Sequence, residues 1–155
     1  MADTKQHWIL NVGNGNNFKA SSKYNIWGIE DSHSGQKSFI KNANAGDILW
    51  FKSRGQIIAM ATFVKTEKRI IGPLITLTLT NEELGWTGDG DWNTSVYYKD
   101  LYDLRHCNLF PEIKGQSPIH RYIYKEIGLN LSTEYFNIIR YLHLRTFKTP
   151  IFKCS

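Results

Sequence analysis

Cysteine is scarce in this chain of 155 residues, and the two cysteines that occur, Cys107 and Cys154, lie far apart. The sequence has no Cys-x-x-Cys pair, and its five histidines are scattered without the spacing of metal ligands. These absences exclude a disulfide framework and a zinc knuckle. A chain that does not depend on disulfides fits the reducing cytoplasm or nucleus, and we expect it there.

Long apolar runs are also missing. Nowhere do about eighteen apolar residues follow one another, and the first seven residues contain no apolar stretch of the kind found in signal peptides. We therefore expect a protein that is neither secreted through a signal peptide nor inserted in a membrane.

The motifs of common hydrolases are absent as well. The chain lacks the Gly-x-Ser-x-Gly elbow, the phosphate-binding loop and the His-Glu-x-x-His zinc motif. Asp89, Asp91, Asn93 and Asp100 approach the spacing of a calcium loop, but Asp100 stands where that loop needs a bidentate glutamate, and its glycine is missing. We expect no metal, no cofactor and no enzymatic turnover.

Aromatic residues and positive charge are what the chain has in quantity. Fourteen per cent of the residues are aromatic, five of them tryptophan, and the net charge of +5 gives an isoelectric point near 9.2. This balance favours an anionic partner such as nucleic acid. The length suits one domain, in which folding removes roughly two thirds of the surface of the unfolded chain. We expect residues 1–155 to form a single, monomeric domain.

The hydrophobic pattern predicts mainly strands, with few and short helices. The predicted strands are 7–10, 48–51, 56–65, 74–80 and a further one containing 95–98, with turns or loops at 52–55 and 66–72. Short helices are predicted for 36–43 and after Ser132, which is a good N-cap. Many strands joined by glycine-containing turns indicate an α+β fold, built on a small mixed β-barrel of about five or six strands with short flanking helices.

The stretch 11–28 is the best candidate for a binding site. It follows the first strand, is crowded with Asn and Gly, and closes on Trp27 and Gly28. Such residues favour turns with free amide groups, and a glycine leaves its backbone carbonyl unscreened beside a large flat ring. From these residues alone, Trp27 is either a core residue at the end of a short helix or a ring on which a flat ligand stacks.

Residues 22–27, Ser-Lys-Tyr-Asn-Ile-Trp, and the loop before them resemble the opening of the YTH domain. That domain reads N6-methyladenine in RNA and belongs to the PUA-like group, together with EVE and ASCH domains. The resemblance implies that Trp27 is the first wall of an aromatic cage, that the Gly28 carbonyl accepts from the methylated amine, and that Asn17 contacts the edge of the base. The chain departs from the family at Asn11, where a lysine is usual, and at Gly13, where a polar residue is common.

A second segment, residues 83–88, resembles the piece of the YTH domain that carries the next cage tryptophan, which implies that Trp86 is the second wall. The third ring of the family falls on Asn81 here, so either the cage has two walls or Trp92 or Tyr97 supplies the third. The alternative is that Trp86 and Trp92 only cover the mouth of the barrel. The resemblance runs from the first strand to Leu109, and 110–155 is a less recognisable C-terminal extension.

The function implied is a non-catalytic domain that flips a modified base, N6-methyladenine first, out of single-stranded RNA or DNA into the cage. Three alternatives stay open: an EVE-like reader of modified cytosine in DNA, an ASCH-like ribonuclease that uses Lys23, Tyr24 or Arg121, and a protein-interaction module. The residues predicted to hold the nucleic-acid backbone share a positive charge near the pocket loops: Lys19, Lys23, Lys52, Arg54, Arg105 and Arg121.

Overall fold

The computed structural model describes residues 5–69, 79–88, 92–110, 119–121 and 135. Six strands, three α-helices and two single 3₁₀ turns follow one another in these residues. They are β1 His7–Asn11, α1 Asn16–Ser21, a 3₁₀ turn Ser22–Tyr24, β2 Ile26–Ile29, α2 Ser34–Asn42, β3 Ile48–Ser53, β4 Gln56–Lys68, α3 Asn81–Leu84, β5 Thr94–Asp103, a 3₁₀ turn Arg105–Cys107 and β6 Ile119–Arg121.

The six strands form one mixed sheet in the order β2-β5-β4-β3-β1-β6. Strands β1 and β3 are parallel, and every other neighbouring pair is antiparallel. The register shifts between Phe51 and Lys52 in β3, and twice along β4 where it pairs with β5. Such bulges increase the local twist and bend a sheet, which here curls into a half-barrel. The predicted α+β fold with a small mixed sheet and short helices is confirmed.

Both faces of the sheet are covered, because side chains alternate between two cores along each strand. In β1, Trp8 and Leu10 enter the larger core, into which α1 sends Phe18 and α2 sends Phe39. Ile9 points the other way, into a smaller core behind the sheet. None of the helices among the described residues has the length and apolar character needed to cross a membrane.

The hairpin of β3 and β4 has the turn that its sequence predicts. Arg54 and Gly55 both have positive φ, 49° and 83°, the backbone that connects tightly paired antiparallel strands. Strand β4 is longer than predicted, since residues 66–68 continue the ladder instead of forming a loop. Their partners in β5 satisfy the backbone groups that a loop would have exposed to water.

Two other predictions were wrong in detail. The stretch 11–28 is not a continuous loop, because α1 and a 3₁₀ turn occupy its middle and Trp27 lies in strand β2. The predicted strand 74–80 falls mostly outside the described residues, but its last residue, Thr80, is the N-cap of α3, an element that the sequence interpretation missed. The helix predicted after Ser132 lies outside the described residues except for Tyr135.

Candidate functional site

Strand β2 is the first strand of the described sheet and is paired on one side only, by β5. The amide of Tyr98 donates to the carbonyl of Asn25 at 3.2 Å, which fixes the alternation of hydrogen bonds along this ladder. Trp27 therefore belongs to a bonded pair with Val96, whereas Gly28, opposite Ser95, belongs to a non-bonded pair. The Gly28 carbonyl consequently points away from β5, towards the side of β2 that no described strand pairs.

Two indoles cover Gly28 at this edge. A methyl group built on its Cα would lie 2.6 Å from Cζ3 of Trp86 and 2.9 Å from Cβ of Trp92, distances that real Cβ atoms do not show. Gly28 has no positive φ to explain a need for glycine. Glycine is therefore required at this position by the rings that lie against its backbone, and not by its own conformation.

Trp27 completes an aromatic cluster around the same glycine. Its ring lies 6.1 Å from that of Trp86, at an interplanar angle of 75°, and Trp86 lies 5.4 Å from Trp92 at 71°. These are edge-to-face contacts, an arrangement that aromatic pairs prefer. Trp27 is half-buried and packs its inner edge on Phe18 of α1, while Trp86 is 7% exposed. We call Trp27, Trp86 and Trp92 the indole cluster.

The segment that carries Trp86 is held in place by the short helix before it. Thr80 and Glu83 form a reciprocal capping box at the start of α3, and Gly85 ends the helix in the left-handed conformation, with φ of 78°. The amide of Trp86 donates to the carbonyl of Asn81 at 2.9 Å. The ring therefore leaves a compact turn and folds back onto Gly28.

Asn17 joins this segment to α1. Its side-chain Nδ2 donates to the carbonyl of Thr87 at 3.0 Å, and the amide of Thr87 donates back to its Oδ1 at 3.0 Å. The amide side chain is thus occupied on both sides by a backbone seventy positions along the chain. Asn17 thus lies beside the indole cluster, where its side chain binds the protein backbone, and its contact with a base stays a prediction.

Arg69, which the sequence interpretation did not single out, lies behind Trp86. Its guanidinium carbon is 5.1 Å from the centre of the Trp86 ring, and its NH groups donate to three oxygens, Asn81 Oδ1 at 2.5 Å, Leu79 O at 2.6 Å and Trp92 O at 2.9 Å. Burial lowers the pKa of this guanidinium, although the Tyr97 phenol opposes the shift. Arg69 comes at the end of a charged run, where nothing in the sequence distinguishes it from a solvated cation.

Asn93 and Asp31 hold the base of the cluster. Asn93 Nδ2 donates to Asp31 at 2.9 Å, the amide of Asp31 donates to Asn93 Oδ1 at 3.2 Å, and Lys68 pairs with the same carboxylate at 3.3 Å. The hydrogen bond from Asn93 and then that from Lys68 lower the pKa of Asp31. Asn93, a weak calcium candidate in the sequence, thus links the start of β5 to the loop after β2. The described residues contain no group of three or more potential metal ligands.

Comparison with known proteins rests on the fold. No family profile and no curated protein sequence matches the chain. Among solved structures, the Mmi1 YTH domain matches with a TM-score of 0.51 and 13% identity, over 93% of this chain and 94% of that one. The YTH domain of the Zygosaccharomyces rouxii MRB1 protein, in complex with N6-methyladenosine RNA, matches with a TM-score of 0.52 and 12% identity, over 98% of this chain and 93% of that one. The chain has a YTH-type fold.

Within this YTH-type fold the predicted pocket residues lie together, since Asn17, Trp27, Gly28, Trp86 and Trp92 form one contact network. The sequence alone does not decide which residue would form the third wall of the predicted cage. Asn81 accepts a hydrogen bond from Arg69, whereas Trp92 packs directly on Trp86. Trp92 is therefore the ring that extends the cluster beyond Trp86. Tyr97 contributes to the packing beneath Trp86 and carries the Lys65 ammonium 5.2 Å from its ring centre.

The six basic residues predicted to hold the nucleic-acid backbone differ in position, exposure and pairing. Lys19 and Lys23 lie on α1 and the following turn, and Lys23 stacks its ammonium 5.1 Å from the ring of Tyr24. Arg54 is exposed at the hairpin tip, and burial lowers the pKa of the half-buried Lys52. Arg105 forms a double contact with Asp103, and its NH2 lies 2.7 Å from the carboxylate. The backbone of Arg121 pairs with Trp8 at the end of the strand order opposite to β2.

Proposed function

We propose that this domain is a non-catalytic reader of a methylated base in single-stranded RNA, with N6-methyladenine as the first candidate. The observation that carries the proposal is the convergence of Trp27, Trp86 and Trp92 on Gly28, at a strand edge where a backbone carbonyl points outward. A likeness of fold to a domain that holds N6-methyladenosine RNA, the MRB1 structure, supports the choice of ligand.

The chemistry of the indole cluster suits a methylated base. A methyl group on an exocyclic amine adds apolar surface without adding charge, and stacking on aromatic side chains contributes about 1 to 3 kcal/mol per base. The amine keeps one N–H, for which the Gly28 carbonyl is a placed acceptor. An unmethylated adenine would make the same hydrogen bond but leave the space for the methyl group unfilled.

Entry of a base requires movement of Trp86, because its ring lies against the Gly28 backbone in this structure. Two glycines with positive φ, Gly85 at 78° and Gly88 at 104°, flank the Trp86–Thr87 pair. Such positions absorb changes of backbone angle at low cost. We propose that Trp86 swings outward from Gly28 to admit the base, and that the Asn17 side chain is then transferred from Thr87 to the edge of the base.

In this proposal, cations of α1, of the turn after it and of the β3–β4 hairpin hold the nucleic-acid backbone. Four of the predicted cations remain candidates for phosphate contacts, because no carboxylate among the described residues pairs with them: Lys19, Lys23, Lys52 and Arg54. Arg105 is a weaker contributor, since Asp103 already neutralises it. Phosphate contacts of this kind add affinity that falls with salt and carries no base preference.

A binding panel tests the proposal. The ligands are one single-stranded RNA with a central adenine or N6-methyladenine, the same pair as DNA, and a DNA pair with cytosine or 5-methylcytosine, at one salt concentration. We expect the methylated RNA to bind tightest. Tighter binding of the methylated cytosine DNA would favour the EVE-like alternative, equal binding of all six would reject the cage, and no binding would favour a protein-interaction module. Recovery of the RNA after incubation checks that it stays intact, whereas shortened RNA would reveal a ribonuclease.

A further inference from the structure

We propose that Arg69 makes the indole cluster select neutral methylated bases and reject cationic ones. This inference rests on the proposed function, and it names the residue by which the site distinguishes ligands by charge. Aromatic cages in general attract cations, because the face of an indole carries a negative quadrupole. Three tryptophans alone would therefore suit a methylated ammonium group or a cationic base as well as a neutral one.

Arg69 changes that expectation because its charge is already placed on Trp86. Its guanidinium carbon lies 5.1 Å from the ring centre, and the residue is only 7% exposed. Its hydrogen-bond acceptors are the side-chain amide of Asn81 and the backbone carbonyls of Leu79 and Trp92, none of which is a carboxylate. A guanidinium keeps its proton at neutral pH, and no carboxylate among the described residues pairs with Arg69, so its positive charge behind the cluster is solvated there by dipoles.

One more feature gives the interior of the cluster the same sign. Among the described residues, the Nε of Arg69 and the Nε1 of Trp86 are both buried donors without an acceptor. Lys65, whose ammonium lies 5.2 Å from the ring centre of Tyr97, is paired with Glu67 at 3.1 Å and adds no net charge there. Asp31, the carboxylate at the base of the cluster, is engaged by Lys68 and Asn93. Within the described residues, the groups facing Trp86 thus repel a cation and attract electron-rich atoms.

The size of the effect follows from distance and dielectric. Once Trp86 has moved from Gly28, a base stacked on the face opposite Arg69 would be separated from the guanidinium by the indole ring, at well under 10 Å. Two positive charges at that distance, with the effective dielectric of a partly buried site, reduce affinity by about tenfold or more. A neutral base does not experience this penalty.

Pairs of isomeric methylated bases that differ in charge test this proposal. N6-methyladenine and 1-methyladenine contain the same atoms, but the second is cationic at neutral pH; N4-methylcytosine and 3-methylcytosine form a second such pair. For the whole domain, we expect the RNA with the neutral isomer to bind about tenfold or more tightly than the RNA with the cationic isomer, in both pairs. Equal affinity within both pairs, or preference for the cation, would overturn the proposal and leave the proposed function standing.

Two variants test whether Arg69 is the cause, because blocking a ring nitrogen could by itself weaken 1-methyladenine. Arg69→Lys keeps the charge and loses hydrogen bonds, whereas Arg69→Gln loses the charge and keeps a donor. We expect both to bind N6-methyladenine RNA less tightly, but only Arg69→Gln to reduce the ratio between the two isomers towards one. An unchanged ratio in a folded Arg69→Gln protein would overturn the assignment. If that variant does not fold, the wild-type ratio is measured again at a pH high enough to deprotonate 1-methyladenine: a ratio that falls towards one supports the proposal, and an unchanged ratio overturns it. A wild-type protein with no preference for any methylated RNA would reject the proposed function itself.

Discussion

The side-chain amide of Asn17 forms two hydrogen bonds with the backbone of Thr87, seventy positions along the chain. It donates to the Thr87 carbonyl and accepts from the Thr87 N–H, at 3.0 Å each. The backbone of Thr87 thus offers Asn17 one donor and one acceptor side by side, the pattern that the edge of a nucleobase also offers. The contact holds Trp86, the neighbour of Thr87, over Gly28. In the proposed function, the same amide leaves the Thr87 backbone and contacts the edge of the base.

Replacing Asn17 by alanine should release the segment of Trp86 and Thr87. Because the two hydrogen bonds are partly exposed, we expect the free energy of unfolding to fall by only about 1 kcal/mol. The local effect should be larger, with faster hydrogen exchange at the amide of Thr87 and unchanged exchange in β3 and β4. Asn44→Ala, on an exposed residue between α2 and β3, is the control. Unaltered exchange at Thr87 would show that Asn17 does not hold the segment.

Replacing Gly28 by alanine should push Trp86 away from strand β2. The added methyl group would overlap the far edge of the Trp86 ring, and the cost of such overpacking is about 1 to 3 kcal/mol. We expect a lower urea midpoint and tryptophan emission shifted to longer wavelength, as Trp86 becomes exposed. Gly35→Ala, which places the same methyl group in helix α2, should be neutral or slightly stabilising. Equal midpoints for both variants would contradict the close contact.

His7 should make stability depend on acid. Burial lowers the pKa of His7 from 6.5 to about 4, against the opposing charge of Asp47, and its Nδ1 accepts from the indole of Trp50 at 2.9 Å. The unfolded chain therefore binds this proton more readily than the folded one between those two values. Stability is complete above about pH 6.5 and falls as the pH drops towards 4, by on the order of 1 to 2 kcal/mol once solvent screening of the half-buried ring is allowed for.

Urea unfolding at a series of pH values between 7.5 and 4 measures this dependence. His7→Gln keeps an acceptor for the Trp50 indole but cannot titrate, so its stability should change less over the same range. The difference between wild type and variant isolates the histidine from the carboxylates that titrate at lower pH. If the two proteins lose stability in parallel, His7 is not the group responsible.

Asp47 is a structural carboxylate whose loss should be costly. It is buried and accepts from the backbone and side chain of Gln6, from the indole of Trp8 and from the backbone of Asn44. Asp47→Asn places an amide NH₂ against some of these donors, and we expect it to lower the free energy of unfolding by about 3 kcal/mol. Asp100→Asn, an exposed site with φ of 53° that asparagine tolerates, should change little. Similar melting temperatures for the two variants would refute this role.

The strands were readable from the sequence wherever the pattern was local. The hairpin of β3 and β4 follows from two apolar runs around the Arg54–Gly55 turn, and β1 from a single buried run. Helix α3 was missed because the capping residues Thr80 and Glu83 follow an alternating stretch that looks like a strand. The length of β4 could not be read either, since residues 66–68 are polar and only their pairing with β5 makes them a strand.

The residues in and around the indole cluster also differ in how far the sequence alone identifies them. Trp27 and Gly28 are conspicuous because they are neighbours in a loop-like stretch, and the resemblance to YTH domains pointed to Trp86. Arg69 could not be found in this way, because its importance comes from four distant contacts and not from its own surroundings in the sequence. The occupation of Asn17 by Thr87 likewise depends on tertiary structure alone.

The central claim is that Trp27 recognises the methyl group of a base, and one ratio tests it most directly. The measurement is the affinity for RNA with N6-methyladenine divided by that for the same RNA with adenine, in wild type, in Trp27→Ala and in Phe110→Ala, which removes an exposed ring elsewhere. We expect a ratio well above one in wild type and Phe110→Ala, and a ratio near one in Trp27→Ala while its affinity for plain RNA changes little. A folded Trp27→Ala protein that keeps the wild-type ratio would contradict the account.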